Sequence, residues 1–282
     1  MKKSGFYLRY LFSAVVMITL VGGPKAQARE RSVESGNTSS KAVYWKTERD
    51  YIGMLAAYSV VYKGWQKDNA RGYNIGSVLL SSDSLNSRLV FWARNCNAVT
   101  HNETQHGEVR LMIGYLAKLN ADRQHGVKVP DIKNLAGCTV YTTLEPCAQC
   151  SGMMTLQKVR NTLYGESDPG FGKALERLQL DSSSLPNGYQ PYPRPVISER
   201  ANIIYCNLLE EGYAAYQKKY GADAHITDFL KSEVARLIFE SAYSELKAYK
   251  AKVPSINDKF LDEAKKMVES VPKEFVPLHP EI

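Results

Sequence analysis

CTVYTTLEPCAQC, residues 138–150, is the stretch that determines the fold expected for this chain. The run from Cys138 to Leu144 is rich in β-branched and aromatic residues, which predicts a β-strand. Pro146 follows almost at once, and proline suits the first turn of a helix, so a helix is predicted over Cys147 to Gln157. The stretch therefore places Cys147 and Cys150 together at a strand-to-helix turn.

Two cysteines in this arrangement offer two thiolates to one metal ion. Zinc prefers sulfur and imidazole ligands in tetrahedral geometry, and a catalytic zinc has three protein ligands and a water molecule. The free N–H groups and dipole of a helix N-terminus also stabilise thiolates. A redox dithiol or a disulfide is the alternative, but it leaves a nearby His-x-Glu without a role. The pattern favours Zn²⁺ as cofactor and requires one histidine from elsewhere in the chain.

The chain offers two candidate histidines, each in a His-x-Glu pair: His101-Asn-Glu103 and His106-Gly-Glu108. The second pair directly precedes apolar residues at i, i+3, i+4 and i+7 spacing, which predicts a helix with Thr104 as its cap. Glu108 would then lie in the first turn, where a carboxylate can exchange protons without ligating the metal. The first pair lies in a polar run typical of a solvated loop, so the second pair is preferred.

Strands and helices alternate along the rest of the chain, which predicts a layered α/β fold. Helices are expected over 46–65, from Glu108 to near Asn120, 173–178, 199–220, 228–249 and 255–271. Strands are expected over 73–80 and 88–93, as a hairpin, and then over 161–165 and near 195–198.

The combination of His-x-Glu at one helix start and Pro-Cys-x-x-Cys at the next resembles the zinc-dependent cytidine and deoxycytidylate deaminase superfamily. TTLEPCAQCSGMM is most similar to bacterial tRNA adenosine deaminases and to guanine and cytosine deaminases. Asn95 also lies eleven residues before His106, as in the tRNA adenosine deaminases. The resemblance covers roughly 74–172, and Gly107 departs from it because alanine is usual there.

This resemblance implies a three-layer α/β/α fold with a mixed five-stranded sheet, extended by extra C-terminal helices. It also implies hydrolytic removal of an amino group from a nucleobase, with Glu108 transferring protons from water first to the ring nitrogen and then to the leaving ammonia. The residues it assigns are His106, Cys147 and Cys150 as zinc ligands, Glu108 as the catalytic residue, and Asn95, Glu145 and Pro146 as substrate-binding residues.

The N-terminal residues 1–28 have the pattern of a secretory signal peptide. Lys2 and Lys3 precede an apolar run from Tyr10 to Val21, and Ala26-Gln27-Ala28 is a small-x-small cleavage pattern. The apolar run is shorter than the roughly 20 residues of a membrane span, so no stable membrane association is expected after cleavage. We therefore expect a periplasmic or secreted protein with a flexible leader over 29–45, a deaminase domain over 46–220 and a helical extension over 221–282.

Charge bears on the kind of substrate. The formal net charge is +7, and removing residues 1–28, which carry four basic and no acidic side chains, leaves +3. This modest charge favours a free base, nucleoside or nucleotide over single-stranded nucleic acid, which stays an alternative substrate. A non-catalytic zinc-stabilised binding protein is a further alternative, and the resemblance allows a homo-oligomer. Cys96, Cys138 and Cys206 are expected to be buried, with at most one disulfide among them.

Overall fold

The computed structural model describes residues 38–82, 84–221 and 223–274, with side chains from Tyr44 onward. The predicted signal peptide and most of the predicted leader lie outside these residues. From Ser40 onward the described residues form one compact unit. Within the described ranges, no helix combines the length and the apolar character needed to cross a membrane.

The centre of the fold is a five-stranded sheet in the order β2-β1-β3-β4-β5. Strand β1 is antiparallel to both β2 and β3, whereas β3, β4 and β5 run parallel to one another. The sheet is therefore mixed, which confirms the predicted fold class. The strands are β1 (Gly76–Leu80), β2 (Leu89–Arg94), β3 (Thr139–Leu144), β4 (Asn161–Glu166) and β5 (Ile197–Arg200).

Helices cover both faces of this sheet because successive strand side chains point to opposite faces. Val78 and Leu80 of β1 belong to one apolar cluster, and Leu79 between them belongs to another. The helices are α1 (Thr38–Lys63), α2 (Gly107–Gln124), α3 (Ala148–Leu156), α4 (Ala174–Leu178), α5 (Ile204–Tyr220), α6 (Ile226–Phe229), α7 (Glu233–Ala248) and α8 (Pro254–Ser270). The first cluster includes α1 and α5 to α8, and the second includes α2 and α3, which gives three layers.

Several boundaries differ from those expected from local pattern, and three of them concern whole helices or their first residues. Helix α1 already begins at Thr38, within the segment 29–45 interpreted as a leader. Helix α5 begins at Ile204 rather than near Glu199, because β5 continues to Arg200 in parallel pairing with β4. The helix expected over 228–249 is divided in two, and the Ser232 hydroxyl caps α7 by accepting from the backbone N–H of Ala235 at 3.2 Å.

The C-terminal helices share an apolar core with the rest of the unit. Phe239 of α7 and Phe260 of α8 pack in the same cluster as Ile52 of α1 and Tyr141 of β3. The division between 46–220 and 221–282 stays a prediction from sequence.

Arg49 ties α1 to two distant parts of the chain. Its side chain is buried and lies over the rings of Trp45 and Phe260. Its guanidinium donates to acceptors in the β1–β2 connection and at the start of α8: Ser84, Leu85, Ser87, Ile256 and Asn257.

Replacing Arg49 by methionine should lower the free energy of unfolding by about 3 kcal/mol, because it leaves several buried acceptors unpaired. Urea unfolding followed by circular dichroism measures the change. Arg88→Met is the control, since Arg88 is exposed and its ion pair with Glu263 should contribute less than about 0.5 kcal/mol. Equal losses in the two variants would contradict this account of Arg49.

Candidate metal centre and active site

The β3–α3 turn places two thiols at the beginning of a helix. Cys147 is the N-cap residue of α3 and Cys150 lies in the first turn, with their sulfur atoms 3.6 Å apart. Cys150 is buried and Cys147 is partly buried. The predicted strand, turn and helix are all present, so the pair begins a helix as expected.

His106 reaches these thiols from a second helix start. It is the N-cap residue of α2, and its Nδ1 atom lies 3.5 Å from the Sγ atom of Cys147 and 3.5 Å from that of Cys150. The expectation that Thr104 caps this helix is wrong. The Thr104 hydroxyl instead donates to the Asn102 side chain at 2.7 Å. Threonine hydroxyls often bond within a local turn in this way rather than to a helix N-terminus. The Thr104 carbonyl accepts from Gln149 of α3 at 2.9 Å.

The three side chains fit a zinc ion. Ligand atoms of His106, Cys147 and Cys150 all lie within 4.8 Å of one another. Tetrahedral zinc with Zn–S near 2.3 Å and Zn–N near 2.0 Å separates two sulfurs by about 3.8 Å and sulfur from nitrogen by about 3.5 Å. The observed separations of 3.6 and 3.5 Å match this geometry closely. Three protein ligands leave a fourth position, as in catalytic rather than structural zinc sites.

The surroundings of Cys147 already favour its thiolate. Its hydrogen bonds with the Cys150 side chain and with the His106 imidazole lower the pKa of Cys147 to about 4. The pKa of Cys150 is raised, first by its hydrogen bond to Cys147 and then by burial. One thiolate is thus present near neutral pH, ready to attract a cation that would ionise the second thiol. All five cysteines of the chain are free of disulfide bonds.

Glu108 lies beside the three ligand residues without being one of them. It is in the first turn of α2 and almost fully buried, and burial raises the pKa of its carboxyl. Its Oε1 atom accepts from the Thr142 hydroxyl at 2.8 Å, and its Oε2 atom lies 3.5 Å from the Cys150 sulfur. A raised pKa makes a buried carboxyl a stronger base, which suits a group that accepts a proton and then releases it.

The other His-x-Glu pair lies outside this arrangement. His101 and Glu103 are exposed, and His101 adopts a left-handed backbone conformation with φ of 49°. Glu103 accepts from the Asn97 side chain at 3.3 Å. The structure therefore brings His106 and Glu108 to the cysteines and places the first pair in the preceding loop.

Asn95 connects the end of β2 to the start of α2. Its Oδ1 atom accepts from the Gly107 N–H at 2.6 Å. Its Nδ2 atom is buried and has no hydrogen-bond partner among the described residues. A buried amide donor without a partner is costly, which is compatible with donation to a bound substrate. A Cβ atom on Gly107 would lie 3.3 Å from both Asn95 Oδ1 and Ser77 Oγ, so glycine relieves crowding at this contact.

The side chain of Glu145 holds a neighbouring loop. Its carboxylate accepts from the backbone N–H groups of Lys173 at 2.7 Å and Asp168 at 3.1 Å. Its own N–H donates to the Glu166 carbonyl. The carbonyl of Pro146 accepts from the Ser151 hydroxyl at 3.3 Å. The substrate-binding role that the family resemblance implies for Glu145 and Pro146 stays a prediction.

The fold and these side chains together define a site with three potential zinc ligands and a buried carboxyl beside them. The cytidine and deoxycytidylate deaminase zinc-binding region matches residues 49–166 of the chain. A cytosine deaminase of Candida albicans is 32% identical over 133 residues, which cover 47% of this chain and 75% of that protein. A tRNA-specific adenosine deaminase of Rickettsia felis is 27% identical over 111 residues, covering 39% of this chain and 68% of that protein. A solved structure from a study of A-to-I editing by tRNA:A34 deaminases is 24% identical, with a TM-score of 0.35 over 52% of this chain and 95% of that chain.

This chain therefore belongs to the cytidine and deoxycytidylate deaminase family. His106, Cys147 and Cys150 are positioned to bind the zinc ion of the family's zinc-binding region.

His106→Ala and Cys150→Ser should each weaken zinc binding by more than about 100-fold. Removing a residue that only hydrogen-bonds a metal ligand already lowers metal affinity about 10-fold to 100-fold, and removing a ligand itself should cost more. The wild-type protein should retain about one zinc ion per chain after dialysis against a weak chelator, as measured by mass spectrometry of the metal. His101→Ala is the matched control and should retain zinc like the wild type. Zinc loss in His101→Ala, or zinc retention in His106→Ala, would overturn the choice between the two histidines.

Proposed function

We propose that the protein is an exported zinc-dependent hydrolytic deaminase that acts on a free nucleobase, nucleoside or nucleotide. Water and an amino-substituted ring carbon would give a ring carbonyl and ammonia. The observation that supports this most strongly is the buried Glu108 carboxylate beside His106, Cys147 and Cys150. A protein that used zinc only for stability would need the three ligands but not this carboxylate.

Each residue at the site has a distinct part in the proposed reaction. When bound, zinc supplies Lewis acidity that makes water easier to deprotonate near neutral pH. Glu108 would accept one proton from the attacking water and transfer it to the ring nitrogen. It would then take the second proton, from the hydroxyl now bonded to the ring carbon, and give it to the amino group, which leaves as ammonia as the ring carbonyl forms. Its burial supports this because a raised pKa lets one carboxyl act as base and then as acid. The free Nδ2 atom of Asn95 donates a hydrogen bond to an acceptor on the substrate.

Two observations support a small substrate over a polymer. The chain that follows the predicted signal peptide carries a net charge of only +3, whereas binding to polynucleotides depends on neutralising many phosphates. The relative that is 32% identical is a cytosine deaminase. We expect an amino-bearing base such as cytosine, adenine or guanine, free or as its nucleoside or nucleotide.

The proposal is tested by ammonia release from free bases, nucleosides and nucleotides, with single-stranded DNA and RNA assayed in parallel. Ammonia should be released only from the free bases, nucleosides or nucleotides, and not from DNA or RNA. Glu108→Gln should lower kcat on the best substrate by about 100-fold to 10,000-fold, because it removes the proton-transfer group while keeping the side-chain shape. Zinc content should be unchanged in this variant.

Glu103→Gln is the control for that substitution, since Glu103 occupies the equivalent position in the other His-x-Glu pair. Its kcat should stay within about twofold of the wild type, as expected for an exposed residue outside the site. Activity on polymer alone would replace the proposal with a polynucleotide deaminase. No ammonia from any substrate, with zinc bound, would indicate a binding protein instead.

Export is a separate part of the proposal and is supported by the pattern of residues 1–28. When the full chain is produced in a bacterial host, protein from the periplasm or medium should have the mass of a chain beginning at Arg29. Ala28→Leu should slow cleavage, because the position before the cut requires a small side chain. A full-length chain that stays in the cytoplasm would contradict export without affecting the proposed chemistry.

A further inference from the structure

Two hydroxyl side chains lie side by side beneath Glu108, on the face of the sheet that packs against α2. Ser77 of β1 and Thr142 of β3 are partners in the antiparallel register, and both are fully buried. The Ser77 hydroxyl donates to Thr142 Oγ1 at 3.1 Å. The Thr142 hydroxyl donates to Glu108 Oε1 at 2.8 Å. A chain of hydrogen bonds therefore runs from β1 through β3 to the carboxylate.

Packing alone gives no reason for polar residues at these two positions. Their neighbours along the same strands, Leu79 and Val140, belong to the apolar cluster beneath α2 and α3. Valine has nearly the shape of threonine and favours strands equally well. Burying a hydroxyl costs free energy unless it is hydrogen-bonded, so Thr142 is tolerated here because it has partners on both sides.

The direction of these hydrogen bonds distinguishes the two oxygens of Glu108. A hydroxyl has one hydrogen to donate, and Thr142 uses it for Glu108 while accepting from Ser77. Glu108 Oε1 is thus held by a donor from the sheet. Glu108 Oε2 lies on the side of the ligand residues, 3.5 Å from Cys150 Sγ.

We propose that Thr142, with its hydroxyl oriented by Ser77, is a positioning residue that holds the Glu108 carboxylate with Oε2 toward the reacting groups. This inference rests on the proposed deaminase function. Without the Thr142 hydroxyl, Glu108 Oε1 would lose its donor from the sheet, and displacement of a reacting group by about 1 Å can cost about 100-fold in rate. Thr142 itself does not touch the substrate, so it acts only through Glu108.

Thr142→Val tests the proposal because it removes the hydroxyl and keeps the shape. On the best substrate of the wild-type protein, kcat should fall about 10-fold to 100-fold while KM changes less than about threefold. Thr142→Ser restores the hydroxyl and should keep kcat within about threefold of the wild type. Zinc content and melting temperature are measured for each variant, so that loss of metal or of folding is recognised.

Thr139→Val is the matched control, because it removes a buried hydroxyl at the start of the same strand, where the partner is Asn161. It should leave kcat unchanged. The proposal is overturned if folded, zinc-loaded Thr142→Val keeps the wild-type kcat, or if Thr142→Ser is as impaired as Thr142→Val.

Crystal structures of the zinc-loaded wild type and Thr142→Val separate this proposal from the proposed function. The Glu108 carboxylate should adopt one orientation in the wild type and a rotated or mixed orientation in the variant. A wild type that releases no ammonia would refute the deaminase function, and the structures would still report the positioning. An unchanged Glu108 in the variant would refute the positioning even if the wild type is an active deaminase.

Discussion

The arrangement of the site depends on two helices that begin at one edge of the sheet. Helix α2 brings His106 as its N-cap residue, and α3 brings Cys147 in the same role, with Cys150 one turn further along. Both helices pack on the same face of the sheet through one apolar cluster. Because a helix N-terminus presents unpaired N–H groups and a positive dipole end, the start of α3 favours the thiolate of Cys147. The apolar packing of two helices thus creates the meeting point of three metal ligands.

Hydrogen bonds of buried polar atoms fix the side-chain and loop positions that apolar packing does not determine. Asn95 accepts from the first N–H of α2, Thr142 donates to Glu108, and Glu145 accepts two N–H groups from the loop that ends at Lys173. Each of these groups would destabilise the interior if left unpaired, so each contact is strongly favoured once the fold forms. The side chains that complete the hydrogen bonds of the buried polar groups therefore also set the geometry of the site.

Much of this site could be predicted from the sequence because its signals are local. The apolar spacing after Glu108 identified His106 rather than His101 as the histidine at a helix start, and Pro146 marked the beginning of α3. The roles of Ser77 and Thr142 could not be predicted, since they depend on which residues face each other across two strands far apart in sequence. The local signals gave wrong predictions at two places. Thr104 was expected to cap α2 but its hydroxyl bonds within a turn, and the single helix expected over 228–249 is divided where Ser232 caps α7. The start of α1 at Thr38 was also missed, because residues 29–41 have no apolar helical period.

The central claim is that one imidazole and two thiolates hold zinc with a fourth position open to a small oxygen or nitrogen ligand. X-ray absorption at the zinc edge measures this directly on the purified protein. The account predicts two sulfurs at about 2.3 Å and two lighter atoms at about 2.0 Å, one of them from a single imidazole. A shell of four protein ligands with sulfur or imidazole in every position, or zinc-free protein with Cys147 and Cys150 joined as a disulfide, would contradict it.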